Sequence, residues 1–406
     1  MPDLNTLFDG ADRIPAPDLW PDIERRPRRR RAPTGPGPAR RLAVAALALV
    51  VAAAGVVVAA RAFLGRPSRP GETATDPAPL DLNPRVAAVI PVGQFPSEIA
   101  MGEGAVWVTV NGADPPERWF VARIDPATNA VTDEIEVNEV VDVAVGGGAV
   151  WGLGRDPGIG PAVFRIDPVR REVAATIPLG CGRCFPTQLV ASDGAVWLTA
   201  SMDYPDSGEI FRIDPATNQV SARLSLPGDP RDLVVGEGSL WVYSLTHFAG
   251  GGVSGGTIYR VDPETAQVSA TLLPGEVPPA SGINTPPVLA LGHGFVWTSR
   301  HGGGRFDFGG TRVDIVRIDP QTNRVVGEPV RLDTLFLPFS TEAGSVWFRG
   351  GYEDARPTIS RLDPLTLQIQ DVLPLEDVVL DGAVDPGGQV MWLSNYKRSV
   401  TRIDLR

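Results

Sequence analysis

Residues 96–112 read PSEIAMGEGAVWVTVNG, and after a variable loop residues 120–129 read FVARIDPATN. Two anchors recur from here on: a Trp inside a short apolar run, and an Asp, usually followed by Pro, ending an R-I-D-like run. The Trp anchors are Trp107, Trp151, Trp197, Trp241, Trp297, Trp347 and Trp392, paired with Asp125, Asp167, Asp214, Asp262, Asp319, Asp363 and Asp404. Successive Trp residues lie 44, 46, 44, 56, 50 and 45 residues apart, the period of a four-stranded propeller blade.

Within the clearest copy the spacing predicts strands around 98–101, 105–110, 120–124 and 130–137. A Gly-x-Gly hairpin (102–104, and again at 146–148, 236–238 and 292–294) joins the first two and supplies positive φ. Asp-Pro-Ala-Thr-Asn (125–129, 214–218) joins the last two, with Pro at i+1 of a type I turn and Asn at a left-handed exit. The repeated Asp residues read as turn-makers. Apolar residues flank each Trp, as in AVWVTV and AVWLTA, so the sheets should pack on both faces with the Trp wedged between blades. The last copy stops after its third strand, whereas residues 85–92 (RVAAVIPV) resemble a fourth strand with no blade before it. Borrowing that strand closes the ring and removes the open edge. The fold expected is all-β: a seven-bladed propeller over 85–406, preceded by one transmembrane helix.

The chain before it differs in kind. Residues 1–41 are polar, Pro-rich and increasingly basic, ending RRPRRRRAPTGPGPARR, a composition unlikely to fold alone. Within it, 16–26 (APDLWPDIERR) offers an apolar Leu-Trp pair for a cytoplasmic partner, or is an incidental patch in a disordered tail. Residues 42–60 carry no charge over 19 positions, nearly the length that crosses a hydrocarbon core of about 30 Å, and 42–64 is read as an uncleaved signal anchor. Eight arginines between Arg25 and Arg41 against three just beyond (Arg61, Arg66, Arg69) place the N-terminus in the cytoplasm and the repeats outside. A cleaved signal peptide is the rival, with a shorter apolar region. Residues 65–84, rich in Pro, Thr and acid, form a tether.

Net charge is −11, but residues 1–41 hold nine Arg against six acids and the remainder 28 basic against 42 acidic residues. So acidic an ectodomain argues against nucleic acid and against lying flat on anionic lipid. Cys181 and Cys184, in GCGRCFPT, read first as a local disulfide in an extracytoplasmic loop; a redox pair or half of a metal site fits less well.

One face of the ring should carry the short stereotyped turns, and the other the long connections that differ in every blade, which makes the second face the candidate binding surface. Its longest loops are 244–257, 299–312 and 274–287, in blades four and five. Aromatic and polar residues gather there: Trp119, Phe185, Tyr204, His247, Phe248, His301, Arg305, Phe306, Asp307, Phe308, Tyr352 and Tyr396. They either make a recognition surface or pack the loops onto the blades. His293 reads as turn filler; His247 and His301, if joined by Asp307 or Glu276, would bind a metal or move a proton. No cofactor is called for. The partner expected is an envelope protein, peptide or glycan.

As a whole the pattern P-x-x-I-A-x-G-x-G-x-V-W-V followed by V-x-R-I-D-P-x-T-N-x-V, covering 85–406, resembles the YVTN/YncE-like propeller repeat family, whose members are mostly binding or scaffold propellers. It is also similar to virginiamycin B lyase propellers, which use magnesium and a His–Glu pair to open a cyclic ester. That family's acidic residue beyond the Trp run is absent: three positions after each Trp stand Val110, Gly154, Ala200, Ser244, Arg300, Gly350 and Asn395. None of its catalytic residues is carried over. A metal-dependent lyase or hydrolase at the propeller mouth is therefore the alternative to a binding module.

Overall fold

The computed structural model describes residues 84–112, 118–202, 207–247, 253–272, 289–301, 313–332, 337–340, 345–350, 357–385 and 387–406. They form seven four-stranded antiparallel sheets. Blade 7 opens with β1 (Arg85–Pro91), and blade 1 follows as β2 (Phe95–Gly102), β3 (Ala105–Asn111), β4 (Trp119–Asp125) and β5 (Ala130–Glu136). Blade 2 is β6 (Asp142–Gly146), β7 (Ala149–Asp156), β8 (Gly160–Asp167) and β9 (Glu172–Pro178). Blade 3 is β10 (Phe185–Ala191), β11 (Val196–Ser201), β12 (Ser207–Asp214) and β13 (Gln219–Pro227). Blade 4 is β14 (Asp229–Gly236), β15 (Ser239–His247), β16 (Val253–Asp262) and β17 (Gln267–Leu272). Blade 5 is β18 (Leu289–Gly292), β19 (Phe295–His301), β20 (Val313–Asp319) and β21 (Arg324–Leu332). Blade 6 is β22 (Leu337–Ser340), β23 (Val346–Gly350), β24 (Thr358–Leu362) and β25 (Ile369–Pro374). Blade 7 ends with β26 (Val379–Val384), β27 (Val390–Asn395) and β28 (Ser399–Asp404). β1 pairs with β28, Arg85 opposite Asp404 and Pro91 opposite Ser399, so the ring closes through the N-terminal strand as the sequence predicts. The stretch 42–64 lies outside the described residues, and among those no helix is long and apolar enough to cross a membrane.

The core is a series of layers between neighbouring blades. Alternation along β3 explains it: Val106, Val108 and Val110 pack with Trp392 and Val400 of blade 7, while Trp107 packs with Val143, Val150 and Phe164 of blade 2. All seven repeat Trp rings are at most 2% exposed. The Gly-x-Gly hairpin belongs to the same unit, because Nε1 of Trp107, Trp151 and Trp297 donates to the carbonyl of the first glycine, Gly102, Gly146 and Gly292.

The hairpin supplies positive φ as expected: Glu103 (φ 51°) and Gly104 (φ 71°) are left-handed, as in a type I′ turn, and Gly102 is at φ 151°. The first glycine serves close approach: a Cβ on Gly146 would lie 2.8 Å from the Ala191 carbonyl carbon of the next blade.

The Asp-Pro turns behave as predicted and do more. Backbone N–H groups of the turn hold the Asp125, Asp167, Asp214, Asp262 and Asp319 carboxyls below the usual carboxylate range. The closing Asn129, Asn218 and Asn323 are left-handed, and each offers Oδ1 to the arginine of the preceding blade. Arg165 lies 5.3 Å over the Trp151 ring and donates to the Pro215 carbonyl and Asn218 Oδ1, both at 2.9 Å. Arg260 reaches Pro320 and Asn323, and Arg402 reaches Pro126 and Asn129, in the same way. Where the turn ends in Arg171 or Ala266 this bond is missing, and Arg123 and Arg212 turn back to Thr132 and Ser221 of their own blades. Ala266→Asn should therefore stabilise the ring by about 1 kcal/mol, by easing a left-handed alanine and giving Arg212 an acceptor; Asn218→Ala should cost about as much. Urea midpoints of the two variants check both signs.

The first strands of the blades form the inner ring, joined by buried side chains that accept a backbone N–H from the next blade. Asp142 Oδ2 takes that of Leu189 at 2.6 Å, Gln188 Oε1 that of Leu233, Asp232 Oδ2 that of Leu289 and Asp381 Oδ2 that of Ile99 at 3.0 Å. Burial pushes the Asp232 carboxyl up from 3.8 to about 8. The folded state thus keeps a proton that the unfolded chain has released, so the stability from this site is complete below pH 4 and is lost as pH rises towards 8. Asp232→Asn should remove that dependence: more stable than wild type at pH 8, with the difference gone at pH 4, read from melting temperatures across the range.

Candidate functional site

In each blade the connections within the first and second hairpin halves emerge on one face, the turn face, and the others on the opposite, loop face. The described part of the loop face holds one row of side chains that register brings together. Phe95 at the start of β2 lies opposite Asn111 at the end of β3, and Asn111 lies opposite Trp119 at the start of β4. Blade 7 completes the row. Its β27–β28 hairpin has Tyr396, Lys397 and Arg398 between the paired Asn395 and Ser399. The Tyr396 and Phe95 rings are 6.1 Å apart and tilted by 51°, and the Arg398 guanidinium sits 4.6 Å over the Phe95 ring.

This hairpin is pinned at every residue. Tyr396 N donates to the Val378 carbonyl at 2.9 Å and Val92 N to the Arg398 carbonyl at 3.0 Å. Lys397 N donates to Asp377 Oδ2 at 2.6 Å and its Nζ to the Glu376 carbonyl. Arg398 itself is left-handed at φ 66°, a conformation that costs a bulky residue energy and that surrounding contacts must enforce. Tyr396 nevertheless stays 53% exposed. Two amide oxygens in the same place, Gln94 Oε1 and Asn111 Oδ1, are shielded from solvent and have no hydrogen-bond partner among the described residues. The row therefore combines aromatic faces and a cation over two buried amide oxygens, which suits a recognition surface.

The other expected residues divide. Trp119 is half-buried and packs on the layer between blades 1 and 2, next to Arg118, which bridges to Glu134 at 3.1 Å. Phe185 is 43% exposed and begins β10 beside the Cys181–Cys184 disulfide, whose Cα atoms are 5.5 Å apart; it belongs to blade 3, away from the row. His247 and His301 end β15 and β19, opposite Val253 and Val313. Tyr204, Phe248, Arg305, Phe306, Asp307, Phe308, Tyr352 and Glu276 lie outside the described residues. His293 is the left-handed middle residue of its turn, φ 55°, on the turn face as expected.

Phe95, Gln94, Asn111 and Arg398 were missed by sequence reasoning, which followed loop length. A signal was present, since Tyr-Lys-Arg in a three-residue hairpin puts arginine where glycine or asparagine is favoured.

No family model matches the chain, and no curated protein matches it. Among solved structures it is similar to Kuenenia stuttgartiensis hydrazine synthase, with a TM-score of 0.61 and 13% identity over 82% of this chain and 99% of that one. At that identity the likeness is one of fold: the seven-bladed propeller.

Proposed function

We propose that this chain is a membrane-anchored, extracytoplasmic binding module of the YncE-like repeat kind, taking an envelope protein, peptide or glycan on its loop face where blades 7 and 1 meet. The observation that carries the reading is the pinned hairpin that holds Tyr396 in solvent beside Phe95, Arg398 and two unpaired amide oxygens. A rigid aromatic anchor loses little conformational entropy on binding. Arg85, opposite Asp404, begins the ring on the turn face, which leaves the loop face clear of the first strand's point of entry.

Sensing or scaffolding would follow from coupling that face to the span at 42–64 and the segment 16–26. The test is a panel of synthetic peptides and peptidoglycan fragments, titrated by thermal shift against wild type and Tyr396→Ala. Ligands that stabilise the wild type and not the variant support the reading; ligands that stabilise both equally place binding elsewhere.

A further inference from the structure

The connection from β9 to β10, residues 179–184, lies on the loop face and carries Cys181 and Cys184, joined in a disulfide with two residues between them. From sequence alone this pair reads as a staple, but the structure gives it little to staple. Leu179 N already donates to the Pro161 carbonyl at 3.0 Å, and the Leu179 carbonyl accepts from Arg223, whose guanidinium lies 5.0 Å over the Phe211 ring. Cys184 is wholly buried in the core cluster that holds Leu179, Leu189 and Leu198, a place that a thiol fills as well as a disulfide sulfur does. A bridge across so short a loop removes little entropy from the unfolded chain.

The two cysteines are placed unequally. Cys184 is 0% exposed, whereas Cys181 is only partly buried, at the margin of the same cluster. Thiolate attack runs in line with the bond that breaks, so a nucleophile must approach the attacked sulfur from the side opposite its partner. For Cys181 that side faces outward, because Cys184 sits behind it in the core; for Cys184 it is the core itself. Glycine flanks Cys181 on both sides, Gly180 and Gly182, each left-handed at φ 64°, and a Cβ on Gly182 would meet no atom within 4 Å. The approach to Cys181 is therefore clear of its neighbours' side chains. Exposed Arg183 brings positive charge beside the path of an anionic thiolate, and Phe185, 43% exposed, offers an apolar edge to the molecule that carries it.

We propose that Cys181–Cys184 is a thiol–disulfide exchange site, with Cys181 the sulfur attacked, and that it passes its disulfide to a dithiol client. A client thiolate bonds to Cys181 Sγ and the bond to Cys184 breaks, its electron pair leaving on Cys184, which takes up a proton. The client's second thiolate then attacks the client sulfur of the mixed disulfide, and Cys181 leaves with the electron pair and takes up a proton in turn. The client has given up two electrons and two protons, and this chain holds a dithiol. A disulfide of a small thiol, such as oxidised glutathione, restores the pair by the reverse exchange. The site precedes blade 3, apart from the Tyr396 row, and does not depend on it.

The test uses the full chain in mild detergent and counts thiols by the mass added on alkylation. Wild type, shown to be folded by circular dichroism, is expected to gain two alkylated cysteines after reduced glutathione without denaturant, to lose both again with oxidised glutathione, and to oxidise a synthetic peptide carrying two cysteines, one peptide disulfide for each chain disulfide lost. In Cys184→Ala the remaining Cys181 should form a mixed disulfide with oxidised glutathione at least about tenfold faster than Cys184 does in Cys181→Ala. Wild-type reduction that occurs only in urea makes the bridge a staple and overturns the proposal without recourse to any variant. Equal reactivity of the two single cysteines, in variants that keep the wild-type melting temperature, overturns it as well. Where either variant melts early, the wild-type exchange decides alone.

Discussion

Trp107→Ala is expected to lower the stability of the ring by about 3–5 kcal/mol, the range for removing a fully buried aromatic side chain. The reason is its place: the ring is wholly buried between blades 1 and 2, its indole N–H is taken by the Gly102 carbonyl, and Arg123 lies 5.9 Å over it. No neighbour can fill the space, since Gly102 has no side chain and the facing Val143 and Val150 belong to another rigid sheet. Trp107→Phe should cost less, keeping part of the apolar contact while leaving the Gly102 carbonyl without its donor. Trp119→Ala, on a half-buried ring of the same blade, should cost about 1 kcal/mol. Urea unfolding followed by near-ultraviolet circular dichroism ranks the three. A Trp107→Ala midpoint no lower than that of Trp119→Ala would contradict the wedge.

The second large effect falls on binding. Tyr396→Ala should weaken the loop-face ligand at least about tenfold, or about 1.4 kcal/mol, because an exposed aromatic anchor on a rigid hairpin is the type of residue that carries interface energy. Its melting temperature should hardly move, as the lost side chain is half in water. Asn111→Leu beneath the row affects stability alone. Removing an unpaired buried oxygen should leave the free protein as stable as before or more so. Ile159→Ala, an exposed apolar change on the loop face of blade 2, serves as control and should change neither property.

Much of this molecule was legible in advance, and what was not has a common cause. Trp107, Asp125 and their copies give the number of blades and the hairpins, because local turn chemistry and period-2 burial are written in consecutive residues. The run 85–92 betrays its role by being a fourth strand without a blade. Interactions between blades are not written that way. The Arg165–Asn218 bond joins residues 53 positions apart, and the carboxylate of Asp142 means nothing until the amide of Leu189 is beside it. The candidate site was hidden for the same reason. Phe95 and Tyr396 stand 301 positions apart in the chain and meet only because the first strand closes the last blade. Sequence reasoning looked for function in long loops, whereas the pinned row sits on one of the shortest.

On the proposed reading, the loop face at the junction of blades 7 and 1 is where this chain meets its partner. A photo-crosslinking amino acid placed at position 396 of the chain, expressed in its native cells, tests this, with the same group at 321 on the turn face as reference. A discrete adduct is expected from position 396 that the group at 321 does not form. Adducts from 321 alone, or the same adducts from both positions, would contradict it.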